Sequence, residues 1–136
     1  FPSWQDFDLM DFEGWWGQIS LAQILDDPLD VKWILWGTII TNWWGIDYTN
    51  KRMSETSLIQ DVWINYERGY FQNLMSDRLI GYVDGALAPQ NRDHIYIHGV
   101  DLPLEKDGKI THYLTAYQIC KPDDVAEPTV DPVFVI

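Results

Sequence analysis

The chain is short of cations, of cysteine and of long apolar runs, and each shortage narrows what it can do. Nine Lys and Arg stand against 21 Asp and Glu, a formal net charge of −12 over 136 residues. Nucleic-acid binding needs clustered cations to neutralise phosphates, so this balance argues against such a partner. It also disfavours attachment to anionic lipid. A single cysteine, Cys120, cannot form an internal disulfide, which suits a reducing compartment. No apolar run reaches the ~18 residues that a membrane span requires, and the first residues carry no signal-peptide pattern. The expectation is a cytoplasmic protein that neither crosses nor coats a membrane.

Aromatic side chains are plentiful by contrast. They make up 15% of the chain, and four of its eight tryptophans fall between Val31 and Asp47. Large rings supply much of the apolar area available for burial. A chain of this length forms one domain and can bury a core without disulfides. The acids are scattered (Asp6, Asp8, Asp11; Asp26, Asp27, Asp30; Asp123, Asp124) and read as a solvated surface.

The order of elements follows from local signals. Trp4, Phe7, Met10 and Trp15, spaced three to five apart, predict a short amphipathic cap that ends near Gly14 or Gly17. Ile19 to Leu25 reads as a strand. Asp26-Asp27-Pro28-Leu29-Asp30 is turn chemistry, and Val31 to Gly37 then pairs back as a hairpin. Thr38 to Glu55 reads as short helices and turns, punctuated by Gly45 and Asn50. Leu58, Val62, Tyr66 and Tyr70, with Ile59, Trp63 and Leu74 alongside, predict a helix reaching about residue 75. Three strands follow, over 79–87, 94–104 and 110–120, the last two joined at Asp107-Gly108, a strong hairpin signal. The tail from Lys121 carries Pro122, Pro128 and Pro132 and reads as extended.

These elements make an α+β domain over residues 1–120, with a five-stranded antiparallel sheet and helices on one face. Trp33 and Leu35 alternate with Ile34 and Trp36, so the other face is apolar too. The N-terminal cap or a partner chain must cover it.

The residues that mark this order also resemble a known family. Phe1-Pro2-Ser3, Asp6-Phe7-Asp8, Trp16-Gly17-Gln18-Ile19-Ser20-Leu21 and Asp27-Pro28-Leu29-Asp30 are followed by Leu35-Trp36-Gly37-Thr38-Ile39. Gly45 to Lys51, Leu102-Pro103-Leu104 and Asp107-Gly108 complete the set. In order and spacing it resembles the PAS-like domains common in proteobacteria, from Phe1 to about Cys120. Asn50 departs from the glycine frequent there, but asparagine also tolerates positive φ. The resemblance implies helices that enclose a small-molecule cleft on the sheet, and signalling through homodimer or partner contacts.

On that arrangement the expected ligand-binding residues are Trp36, Trp43, Trp44, Trp63, Tyr66, Tyr96, His98 and Tyr113. The expected ligand is a small, largely apolar or aromatic molecule whose identity stays open, as does any cofactor. Core packing competes as the role of each ring. Trp15, Trp33 and Leu35 are the expected interface, and a protein–protein module with a solid core is the alternative reading. His94 and His98 share a strand face about 13 Å apart, too far for one metal, so no metal is expected. Among haem-binding PAS domains the ligand is usually a histidine of the long helix, and Ser57 to Met75 has none. Cys120 lies outside any helical flavin motif and reads as an inert buried thiol. The turn acids lack the twelve-residue calcium-loop pattern. A third reading, an isomerase-like enzyme with Asp101 as base and Tyr96 and Tyr113 as donors, runs against the strand order. No enzymatic activity is expected.

Overall fold

The computed structural model describes residues 1–56, 60–87 and 91–124; for Leu9, Thr56, 60–64 and Asp124 it describes the backbone alone. It is an α+β fold with one five-stranded antiparallel sheet. The strands are β1 (Ile19–Leu25), β2 (Asp30–Trp36), β3 (Gly81–Leu87), β4 (Arg92–Lys106) and β5 (Lys109–Cys120). Their order across the sheet is β2-β1-β5-β4-β3. Helices α1 (Thr38–Trp44), α2 (Met53–Thr56) and α3 (Gln60–Asp77) all fall between β2 and β3.

Local chemistry sets the corners. At the Asp107-Gly108 turn both residues have positive φ, 53° and 77°, as the tight hairpin between β4 and β5 requires. At the end of β2, a Cβ on Gly37 would fall against the carbonyl of Gly17. Only glycine lets the chain turn into α1 while Gly37 N donates to Ile19 O at 3.0 Å. Gly45 closes α1 in the left-handed region, φ 77°. Asn50 takes φ 63°. That turn lets Asn50 N donate to Trp33 O (2.7 Å) while Trp33 N donates to Lys51 O (3.1 Å). The backbone of 50–52 thereby occupies the open edge of β2, which would otherwise offer unpaired groups to another chain.

The N-terminal segment is three short 3-10 turns rather than one helix: Trp4–Asp6, Leu9–Phe12 and Trp16–Gln18. Ser3 with Asp6, and Asp8 with Asp11, form reciprocal caps on the first two. The acids that read as plain surface therefore also terminate backbone. Trp4, Phe7 and Phe12 pack onto Ile19, Leu21, Leu104 and Leu114, covering the sheet face opposite the helices. Glu105 fastens this segment, accepting from Arg78 at 2.5 Å and facing the N-terminal amine at 3.4 Å.

One irregularity changes a sequence expectation. Leu21 pairs with Leu35, but Ala22 pairs with Trp33, which leaves Ile34 as an extra residue in β2. A bulge of this kind breaks the strict alternation of faces. Ile34 and Leu35 both pack under the N-terminal segment. Trp33 instead turns to the helical side, where its ring stacks on Tyr48 with centroids 5.4 Å apart. The assignment of Trp33 to the outer face is corrected accordingly.

Candidate functional site

Strand register places a polar row across the middle of the helix-covered face. Trp36 pairs with Ser20, Ser20 with Thr115, Thr115 with Asp101, and Asp101 with Gly81. These five residues come from β2, β1, β5, β4 and β3 in turn, one from each strand. On β5 the row is flanked by Tyr113 and Tyr117, two residues to either side and so on the same face.

Asp101 is the centre of the row, and its carboxylate is buried. Thr115 Oγ1 donates to Oδ1 and the Tyr70 hydroxyl, from α3, donates to Oδ2. Burial pushes the Asp101 carboxyl above the usual carboxylate range, against the lowering effect of these two hydrogen bonds. The neighbouring Tyr70, Tyr113 and Tyr117 hydroxyls are raised in turn, first by burial and then by the Asp101 charge. Gly81 makes the Tyr70 contact possible, because a Cβ there would collide with the Tyr70 hydroxyl. Glu67 lies one helical turn before Tyr70 on the same side of α3 and acts on Tyr117. Burial pushes its carboxyl up to about 7.

Among the described residues, three buried polar atoms on this face have no hydrogen-bond partner: Ser20 Oγ, Trp36 Nε1 and Tyr113 Oη. Ser20 Oγ lies close enough to the Tyr117 hydroxyl to favour its ionised form as a hydrogen-bonding neighbour, in a geometry short of a full hydrogen bond. Each orphaned group costs about 1–3 kcal/mol in desolvation, so three on one face are a liability for a purely structural core.

The structure brings some of the expected ligand residues together and separates others. Trp36, Trp44 and Tyr113 are buried on the helical side. Trp43 is half-buried against the cluster built on Trp36, Ile40, Trp44 and Tyr117. The Trp63 side chain lies outside the described residues, as do Leu58 and Ile59. Tyr66 is 47% exposed, so α3 turns Glu67, Tyr70, Phe71 and Leu74 to the interior instead. Tyr96 and His98 sit on the opposite sheet face, because β4 alternates and Ile97 belongs to the interior cluster. His98 Nδ1 is there hydrogen-bonded to the Tyr82 hydroxyl. Tyr96 therefore cannot act with Asp101 and Tyr113, and the three-residue arrangement of the isomerase-like reading is not formed.

Of the expected interface, Trp15 is 45% exposed, whereas Leu35 is covered by the N-terminal segment and Trp33 is internal. Cys120 is half-buried and is not part of a disulfide. Burial lowers the His112 pKa on the outer side. An open groove of about 280 Å³ also lies there, lined by Trp4, Gln23, Lys109 and His112 among others. It is across the sheet from the polar row, and the Lys109–Asp26 ion pair (2.5 Å) sits at its rim. Among the described residues, no group of three or more His, Cys, Asp or Glu is placed to hold a metal, and no helix is long and apolar enough to cross a membrane.

Tyr70, Thr115, Tyr117, Ser20 and Glu67 were not expected at the site. The signal that could have found them is a carboxylate in an apolar strand, Val100-Asp101-Leu102, facing a threonine in the next one. Comparison with known proteins adds no further guide: no family model matches the chain, and neither does any curated protein or solved structure.

Proposed function

We infer that this chain is a PAS-like sensory domain that binds a small molecule between α3 and the sheet. The observation that carries the reading is the set of three buried atoms on the helix-covered face, Ser20 Oγ, Trp36 Nε1 and Tyr113 Oη, that have no hydrogen-bond partner among the described residues. Folding against that cost makes sense where a ligand supplies the missing hydrogen bonds. The element order supports it, since three helices enclose one face of a five-stranded antiparallel sheet and an N-terminal segment seals the other. The ligand in this reading is not wholly apolar: an aromatic or apolar body meets Trp36 and Tyr117, and a polar head meets the row. Binding shifts α3 through Tyr70, and the shift is read by a second copy or a partner in the cytoplasm. A ligand moves that equilibrium only through its differential affinity for the two states.

Native mass spectrometry of the purified protein, with thermal-shift screening of small aromatic compounds, tests the reading. A bound small molecule, or a shift that Tyr113→Phe weakens, is expected. A chain that binds nothing and whose interior is solid in an experimental structure would sink it.

A second reading is favoured by a separate observation. Trp15 and Trp16 are exposed beside Ile39 of α1, whose side chain lies against Gly17. This suits a module that docks a protein and has no ligand. Trp15→Glu then abolishes self-association in sedimentation, whereas an unchanged oligomeric state removes the patch from consideration.

A further inference from the structure

The charge balance of the interior narrows the ligand class, on the assumption that the ligand-binding reading holds. All nine Lys and Arg of the chain fall within the described residues, and none is buried. Of the three that are half-buried, two are engaged elsewhere through their side chains. Arg68 donates to Leu29 O at 2.9 Å, Arg92 donates to Asn42 O at 3.2 Å, and Lys32 lies in β2 opposite Arg52. The residues outside the described portion contain no Lys or Arg at all. The chain therefore has no basic side chain of its own to set against Asp101.

Asp101 nonetheless presents itself as an acceptor. Two hydroxyls donate to it, one to each oxygen, and an ionised carboxylate has about four acceptor positions. The remaining positions, with the unpartnered hydroxyls of Tyr113 and Ser20, form a surface rich in oxygen acceptors. A second carboxyl group, Glu67 of α3, faces the interior and acts electrostatically on Tyr117. Ring faces and edges from Trp36 and Tyr117, with centroids 6.2 Å apart, border it. Aromatic rings attract cations through their negative faces. Buried carboxylates without a counter-cation are costly, and a ligand that brings the cation removes that cost.

We propose that the polar row binds a small organic ammonium ion, a primary amine on an aromatic body, held by Asp101, Tyr113 and Ser20. The ammonium donates to Asp101 and to the two free hydroxyls, and its ring lies against Trp36 and Tyr117. Tyr70 of α3 is hydrogen-bonded to Asp101, so occupancy bears directly on the helix. A neutral ligand of the same shape lacks the charge and two of the donors.

Isothermal titration of the full chain at pH 8 with phenethylamine, and with 2-phenylethanol as the neutral isostere, tests this. The amine is expected to bind at least tenfold more tightly than the alcohol. Asp101→Asn is expected to lower amine affinity at least tenfold, and Tyr113→Phe about fivefold, with circular dichroism confirming that both variants fold. If Asp101→Asn does not fold, Tyr113→Phe and Ser20→Ala decide the matter by the same comparison. Equal affinity for amine and alcohol overturns the ammonium assignment while the ligand-binding reading survives, provided Tyr113→Phe weakens both. Amine affinity unchanged in the variants, or no binding of the amine by the parent chain, also overturns the assignment. Native mass spectrometry and compound screening then judge the broader reading separately.

Discussion

The two faces of the sheet differ by a single step along each strand. On the outer face, Leu35 pairs with Leu21, Leu21 with Leu114, and Leu114 with Leu102, a transverse row made wholly of leucine. One residue away, on the inner face, the row reads Trp36, Ser20, Thr115, Asp101 and Gly81. The leucine row is closed by Trp4, Phe7 and Phe12 and needs no partner beyond apolar contact. Such burial contributes about 1.5–3 kcal/mol for each large side chain. The polar row carries a buried carboxylate and, with the flanking Tyr113, three buried polar atoms without a partner among the described residues. The outer face buries apolar side chains alone, whereas the inner one also buries polar groups at a cost that a ligand would offset on the reading proposed above.

The largest expected effect is on the outer face. Leu104→Ala should lower unfolding stability by about 2–5 kcal/mol through the cavity it leaves, yet leave ligand affinity in the folded fraction unchanged. Chemical denaturation with a parallel titration checks both halves; a selective loss of binding would break the contrast between the faces.

Glu67 gives a change of opposite sign. Its carboxyl is raised to about 7 from an ordinary 4.5, so the folded state holds its proton more tightly than the unfolded one. Its contribution is fully present below about pH 4.5 and is lost as pH rises through about 7. Glu67→Gln should therefore gain up to roughly 3 kcal/mol over the parent at pH 8, and little at pH 4. Urea melts across that window check it, and a pH-independent difference would show that Glu67 is not held in the interior.

A smaller gain is expected from Tyr113→Phe, which removes a buried hydroxyl that has no partner. Without ligand it should be neutral or stabilising by about 1 kcal/mol. A clear destabilisation in thermal melts would mean that the hydroxyl is already satisfied.

Local features of the fold were legible in the sequence, and those that depend on register were not. The β1–β2 hairpin, the helix ending near residue 77 and the Asp107-Gly108 turn follow from periodicity and turn chemistry within a few residues. The five strands and the N-terminal cover follow from counting elements and apolar faces. Facing was harder. The bulge at Ile34 reverses Trp33, and a one-position rotation of α3 exchanges Tyr66 for Glu67. Tyr96 and His98 read as cleft residues because the phase of β4 is set by Asp101 pairing with Thr115 across 14 positions, which no local pattern reveals. Asp101 itself was legible as a carboxylate between apolar neighbours, and its partners Tyr70 and Thr115 only through the fold.

The most direct measurement is the electron density at the Tyr113 hydroxyl in crystals of the protein purified from cells. The account predicts a small molecule there, in hydrogen-bond contact with Tyr113 and Asp101 and beside Trp36. Side chains packed without a gap around Tyr113, with its hydroxyl bonded to protein alone, would contradict it.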